Sequence, residues 1–190
     1  MTPLKVYCDL FSGYTFRSPL NVDKTAVGVI QLKDVDSRTG EITYSGWANA
    51  PGFSGSARYY LQERDLLLVA KGVNSMAFMY EKDQHDYPHV VASGGFIVIR
   101  PLAEHLYPPY LLWYLNLPES QLAFKRLQAG TTVLNLSITA LHNFTLKVPP
   151  LHKQQSIGDT YLLNREHQRL SRERDEKWLQ LFNHQINNLI

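Results

Sequence analysis

LHKQQSIGDTYLLNREHQRLSRERDEKWLQLFNHQINNLI, residues 151–190, contains no proline and one glycine, Gly158. A helix of about 38 residues rises 1.5 Å per residue and reaches roughly 57 Å. That exceeds the diameter of a small domain, so the helix must leave the body of the protein and find a partner. Apolar residues stand at Ile157, Tyr161, Leu162, Leu163 and Leu170, and again at Trp178, Leu181, Phe182, Ile186 and Leu189. The last five keep helical spacing, with 178/181/182 and 182/186/189 on one face. Between them, Arg165 to Lys177 is almost entirely polar. Two apolar ends around a charged middle suit an antiparallel pair, in which the front of each helix meets the back of the other. These ten apolar residues are the expected dimer interface. The alternative is a helix that folds back over its own sheet.

Upstream of the break at Pro149-Pro150 the pattern changes. Ala26 to Leu32 is β-branched and bounded by turn residues, as a strand is. Glu41 to Tyr44 and Arg58 to Leu61 are weaker strand candidates, and Gly46 to Ser56, rich in Gly, Ser, Asn and Pro, reads as a loop. Asp65 to Lys71 and Val90 to Arg100 read as buried strands, the second interrupted by a bulge or turn at Gly94-Gly95. Gly72 to His89 reads as a long loop, and long loops tend to carry function. Pro109 to Leu117 and Pro118 to Ala129 each begin with a proline that a first helical turn tolerates, and Gly130 stands where a helix ends. Ser137 to Leu141 fits one capped turn, with a strand at Phe144 to Val148. The expected fold is α+β (mixed α/β): a globular domain over residues 1–150, then a long helix over 151–190.

Composition narrows the function. With 44% hydrophobic, 12% aromatic and only 19% charged residues among 190, the chain can bury a core and is not disordered. No apolar run approaches the length of a membrane span, the first residues lack a secretion signal, and the single cysteine cannot form an internal disulfide. A cytoplasmic protein is expected. A net charge of +2 does not announce a nucleic-acid partner, so any such footprint must come from local clustering.

Motifs for catalysis fail one by one. Tyr107-Pro108-Pro109-Tyr110 is one residue away from the Asp/Asn-Pro-Pro-Tyr of amino-methyltransferases, but Tyr107 cannot accept a hydrogen bond as that carboxylate or amide does. His85 and His89 are four apart, yet Pro88 disfavours the helix that would align them on zinc. Gly52 to Ser56 places its glycine one residue early for a nucleophile elbow. Cys8 reads as a small buried hydrophobe. Asp65 to Lys71 lacks the acidic-x-Lys ending of metal-dependent nucleases. No catalytic set, metal site or cofactor is expected.

The order of segments, however, resembles the target recognition domain of the specificity subunit of type I restriction–modification enzymes. The matching pieces are Ser12 to Arg17, Gly28 to Asp34, Tyr60-Leu61 with Asp65 to Gly72, Ala92-Ser93 with Phe96 to Pro101, and Tyr110 to Leu115. The most specific run is Gly130-Thr131-Thr132-Val133-Leu134-Asn135-Leu136-Ser137, which leads to Leu146 to Leu151, Gln155 and Ile157. The resemblance implies a non-catalytic domain that reads double-stranded DNA and docks adenine-N6 methyltransferase subunits, and in some systems a restriction translocase. Family members carry two such domains and two spacer helices packed antiparallel, whereas this chain has one of each. It is therefore similar to a half-size subunit, or to one half of a longer chain. As a homodimer it would read a bipartite palindrome, with the helix setting the spacer.

A DNA reader needs cations for phosphates and side chains that reach base edges. Candidates for the first are Arg17, Lys24, Arg38, Arg58, Lys71 and Lys82. Candidates for the second are Tyr14, Asn49, Ser54, Arg58, Asn74 and His85, since Arg suits guanine and Asn adenine. Two other classes stay open: an anti-restriction or assembly decoy that pairs by its helix without reading DNA, and an enzyme.

Overall fold

The computed structural model of the protein describes residues 1–17, 20, 27–44, 47–50, 53–72, 74–102, 105–128 and 135–187. In chain order the strands are β1 (Thr2–Pro3), β2 (Cys8–Ser12), β3 (Val27–Ile30), β4 (Val35–Asp36), β5 (Glu41–Ile42), β6 (Ala48–Asn49), β7 (Leu66–Val69), β8 (Ala77–Met79), β9 (His89–Ala92), β10 (Phe96–Pro101) and β11 (Thr145–Leu146). The helices are α1 (Pro108–Leu115), α2 (Pro118–Gln128), α3 (Ile138–His142) and α4 (Leu151–Asn187). The fold is α+β with a long C-terminal helix, as the hydrophobic pattern requires.

The layers follow from alternation along β7. Leu66 and Leu68 face one core, while Leu67 and Val69 face another. A strand buried on both faces reads as an unbroken apolar run rather than an alternating one. β7 lies in an antiparallel sheet of order β2-β10-β7-β8. One face of that sheet, through Leu10, Ile97 and Ile99, packs on Leu111, Leu112 and Leu115 of α1, Phe124 of α2 and Leu141 of α3. The other face, through Phe11, Phe78 and Val98, packs on Ile30, Val90 and Ala92 of a smaller sheet of order β6-β3-β9. β3 and β9 run parallel, with Val29 opposite Val91. Those two valines face away from the large sheet into a third cluster with Val27 and Ala50. Its cover is a set of partly buried aromatic rings, on the side of the head opposite α1.

Several expectations are corrected here. Arg58 to Leu61 is not a strand: a single 3-10 turn, Ala57–Tyr59, forms because the Ser56 hydroxyl accepts the Arg58 amide. Only Tyr60 makes a bridge, to Val91. The 72–89 segment is not one loop, because β8 adds to the large sheet. The outer edge of β8 is closed by a side chain: Asn116 Oδ1 accepts the Ala77 N–H and its Nδ2 donates to the Ala77 carbonyl, both at 2.9 Å. Similarly, 46–56 includes β6, which pairs with β3. Ala129, Gly130 and the following residues to Leu134 lie outside the described residues.

α4 begins directly after Pro150, and its first turns belong to the head. Gly158 is buried against α1, where a Cβ would come within 2.8 Å of the Tyr110 nitrogen. Gln154, also buried, accepts the Tyr107 N–H at 2.9 Å and donates to the His105 and Pro149 carbonyls at 2.8 Å. Ile157, Tyr161 and Leu162 pack on the same core as α1. All three are partly buried within the chain, Ile157 and, one turn on, Tyr161 and Leu162, so this part of the expected dimer interface already has an intramolecular partner. Leu163, Leu170, Trp178, Leu181, Phe182 and Ile186 remain exposed, and Leu189 lies outside the described residues.

Candidate nucleic-acid interface

The outer face of the small sheet is built from one tight crossing. β2 runs out at Ser12, and Gly13 carries the chain across the start of the β9–β10 turn, donating to the Phe96 carbonyl at 2.9 Å. A Cβ on Gly13 would lie 2.1 Å from the Ser93 carbonyl oxygen, so only glycine passes. Tyr14 then pairs with Ser93 and donates its N–H to Ala92 at 2.8 Å. Its ring meets Phe16, Phe53 and Tyr59 edge-on, with centroids 4.8, 4.9 and 5.2 Å away. Phe53 continues to Tyr60 at 5.6 Å, and Tyr60 stacks on His89 at 4.3 Å and 14°. Among these, His89 is exposed and the others are partly so, with Arg17, Ser54 and Arg58 exposed beside them in the chain.

Just ahead of β9 in the chain, a second aromatic group encloses His85. Trp47, Tyr44, Tyr80 and Tyr87 all stand within 6.1 Å of its ring, centroid to centroid. Nδ1 accepts the Tyr87 N–H at 3.1 Å, which leaves the proton on Nε2 to be donated to Tyr80 Oη at 2.7 Å. Burial holds His85 below its ordinary pKa; neighbouring Asp86 opposes the shift and Lys82 adds to it. Burial also raises the Tyr44 and Tyr80 hydroxyls, so both stay protonated. His85 is therefore a neutral prop for the 82–89 segment.

The expected contact residues separate into groups. Tyr14, Ser54 and Arg58 share the aromatic cover, through Phe53 and Tyr59. Arg58 is already paired, with Nη2 2.7 Å from Asp9 Oδ1 and its guanidinium 5.0 Å from the Phe11 ring centre. Lys82 is exposed next to His85, its N–H donating to Glu63 at 2.8 Å. Lys71 and Asn74 are exposed at the β7–β8 turn, which Gln121 and Gln128 hold by donating to the carbonyl and hydroxyl of Ser75 at 3.0 and 3.2 Å. Arg38 lies apart on the β4–β5 hairpin, bound to Asp36 at 3.2 Å, and that bond holds the Asp36 carboxyl below its usual range.

Asn49 is corrected. It is 1% exposed, pinned in β6 opposite Gly28, and its amide reaches only the Trp47 carbonyl at 3.4 Å. A side chain so buried cannot meet a base edge. Lys24 lies outside the described residues. Sequence reasoning passed over Phe16, Phe53, Tyr59, Tyr60 and His89; the signal available was aromatic residues interleaved with Gly and Ser in otherwise polar loops. His85 and His89, the four-apart pair, make separate contacts, with Tyr80 and Tyr60. Among the described residues no group of three or more His, Cys, Asp or Glu could hold a metal ion, and no helix is long and apolar enough to cross a membrane.

The family model of the type I restriction modification DNA specificity domain matches residues 21–161. The chain belongs to this family. Membership makes it a DNA target recognition domain rather than a catalyst. The fold agrees with solved structures. The HsdS subunit from Thermoanaerobacter tengcongensis superimposes with a TM-score of 0.63 at 17% identity, covering 92% of this chain and 39% of that one. A structure described as the basis of complex assembly and conformational transition of the type I R-M system gives 0.63 at 20% identity, covering 92% and 40%. The type I S subunit from M. genitalium gives 0.57 at 15% identity, with the same 92% and 40% coverage. The chain thus spans about two fifths of the length of these specificity subunits. No curated protein matches it by sequence.

Proposed function

We propose that two copies of this specificity domain pair antiparallel through α4 and read a bipartite, palindromic DNA site. The pair directs adenine-N6 methyltransferase subunits to that site, together with a restriction subunit where the system has one. The observation that carries this reading is the free end of α4. Trp178, Leu181, Phe182 and Ile186 are each more than two fifths exposed, and Trp178 stacks on Phe182 at 5.3 Å with nothing else covering them among the described residues. Fully burying such side chains contributes about 1.5–3 kcal/mol each, so a second helix has much to gain there. A specificity domain with its own unpartnered spacer helix is the half of a two-headed reader.

One observation favours a decoy that pairs without reading DNA: Arg38 and Arg58, two of the expected cations, are occupied by Asp36 and Asp9. The two are separated by light scattering and DNA binding on the purified chain. The reader gives twice 21.8 kDa and selects a sequence from random duplexes, with affinity falling steeply as salt rises. The decoy dimerises and selects nothing. A mass of one chain at micromolar concentration overturns pairing through α4.

A further inference from the structure

α4 is attached to the head at two separated places. The first is the packing of Gly158 on the start of α1. The second lies several turns on, where the helix meets the β4–β5 hairpin. There Arg172 Nη2 is 2.9 Å from Glu41 Oε1, and Arg165 donates to the Gly40 carbonyl. Gly40 has φ +74°, and a Cβ on it would lie 3.0 Å from the Arg165 guanidinium. The Arg165 guanidinium thus lies directly against Gly40, whose backbone conformation favours glycine. This second attachment is polar, and its ion pair is more than a third exposed on both sides, so it adds little to stability.

We propose that the Glu41–Arg172 pair and the Gly40–Arg165 bond are positioning contacts that set the angle between the DNA-reading head and its spacer helix, and so determine how strictly the distance between half-sites is measured. Ridge-and-groove packing prescribes no single crossing angle, the preferred classes scattering by about 15–20° between helix pairs, so the α1 contact does not by itself dictate the direction of α4. From Gly158 to Asn187 the helix runs roughly 44 Å at 1.5 Å per residue. A swing of about 10° about Gly158 displaces the far end by about 8 Å, more than two base-pair steps of ~3.4 Å. A head held only at α1 would tolerate spacers differing by a base pair or more. The angular part stands on the single chain; the consequence for spacing rests on the paired reading above.

Pulsed electron-spin distance measurement tests the angle on the full chain. Spin labels are placed at Lys5→Cys in the head and Gln180→Cys on the helix, both exposed, and labelled protein is diluted with unlabelled chain so that only intrachain distances are read. Cys8 is buried, with its thiol pushed up to about 12, and stays unlabelled. In the Arg165→Ala/Arg172→Ala variant the distance distribution should widen by several ångströms, and the swapped pair Glu41→Arg/Arg172→Glu should keep it narrower than Arg172→Ala alone. An unchanged width in the double variant overturns the proposal. Mapping of N6-methyladenine in cells that carry the methyltransferase then reads the spacing. The double variant should methylate the wild-type half-sites at neighbouring spacer lengths as well. A widened distance with a single unchanged spacer overturns the link to spacing. A wild-type chain that yields no two-part site overturns the paired reading, and the distance result still decides the angle.

Discussion

Arg100 donates through Nε and Nη2 to both carboxylate oxygens of Asp65, at 3.0 and 2.7 Å, and the same Nη2 reaches the Tyr60 carbonyl at 2.8 Å. Asp65 is buried and the Arg100 side chain is 13% exposed. Burial pushes the Asp65 carboxyl up, and the guanidinium fork opposes that rise. The pair joins β10 of the large sheet to the segment that carries the Tyr60 ring in the aromatic cover. Removing one partner strands the other as a buried charge, which costs about 3–5 kcal/mol. Arg100→Met should lose stability on that scale in urea unfolding, and Arg100→Met with Asp65→Leu should recover much of it. Equal losses in the single and double variants would show that the ion pair is not the cause.

His85 gives a pH dependence with a defined sign. Its folded pKa lies below the ordinary 6.5, so on unfolding near and below that pH the residue takes up a proton that the folded state excludes. Its stabilising contribution is complete above about 6.5 and is lost as pH falls toward the folded pKa. The stability difference between wild type and His85→Gln should therefore shrink from pH 7.5 to pH 5.5. A difference that stays constant across that range contradicts a neutral, partly buried His85.

Gly158 sets the closest approach of α4 to α1. The atoms an added Cβ would meet, Tyr110 N at 2.8 Å and Pro109 Cβ at 2.9 Å, belong to a helix start that cannot yield like the end of a flexible side chain. Gly158→Ala should destabilise the chain by about 1–3 kcal/mol, despite the better helix propensity of alanine. Thermal unfolding checks this, and a more stable variant would mean that the two helices lie further apart.

Arg58 and Asp9 make opposite predictions for DNA. If the aromatic cover meets the duplex, Arg58→Ala removes a contact and weakens binding to the selected site. Asp9→Ala frees that guanidinium and removes a negative charge near the phosphates, so binding tightens. Fluorescence anisotropy at fixed salt measures both. Two variants that bind like wild type would move the interface to another face of the head.

Much of the fold was legible because its strongest signals are continuous along the chain. Leu66 to Val69 and Phe96 to Ile99 read as buried strands since both of their faces are covered, and α4 reads as a helix because no proline interrupts it. What stayed hidden depends on distant partners. β8 is three residues long, and its free edge is closed by the Asn116 amide from another element, which no local pattern shows. Asn49 looks like a loop polar residue until β6 pairs with β3 and buries it. Ile157, Tyr161 and Leu162 read as apolar residues of a long helix, but their own sequence does not say whether a second chain or the protein's own α1 covers them. The aromatic cover joins rings from residues 14 to 89, and only the folded sheet brings them together.

The most direct measurement is a map of N6-methyladenine in DNA from cells expressing this chain with an adenine-N6 methyltransferase of a type I system, compared with the same cells lacking the chain. A methylated bipartite palindrome that disappears with the chain is the expected result. Methylation at the same sites with and without it, or at no defined sequence in either, would contradict DNA target recognition by this domain.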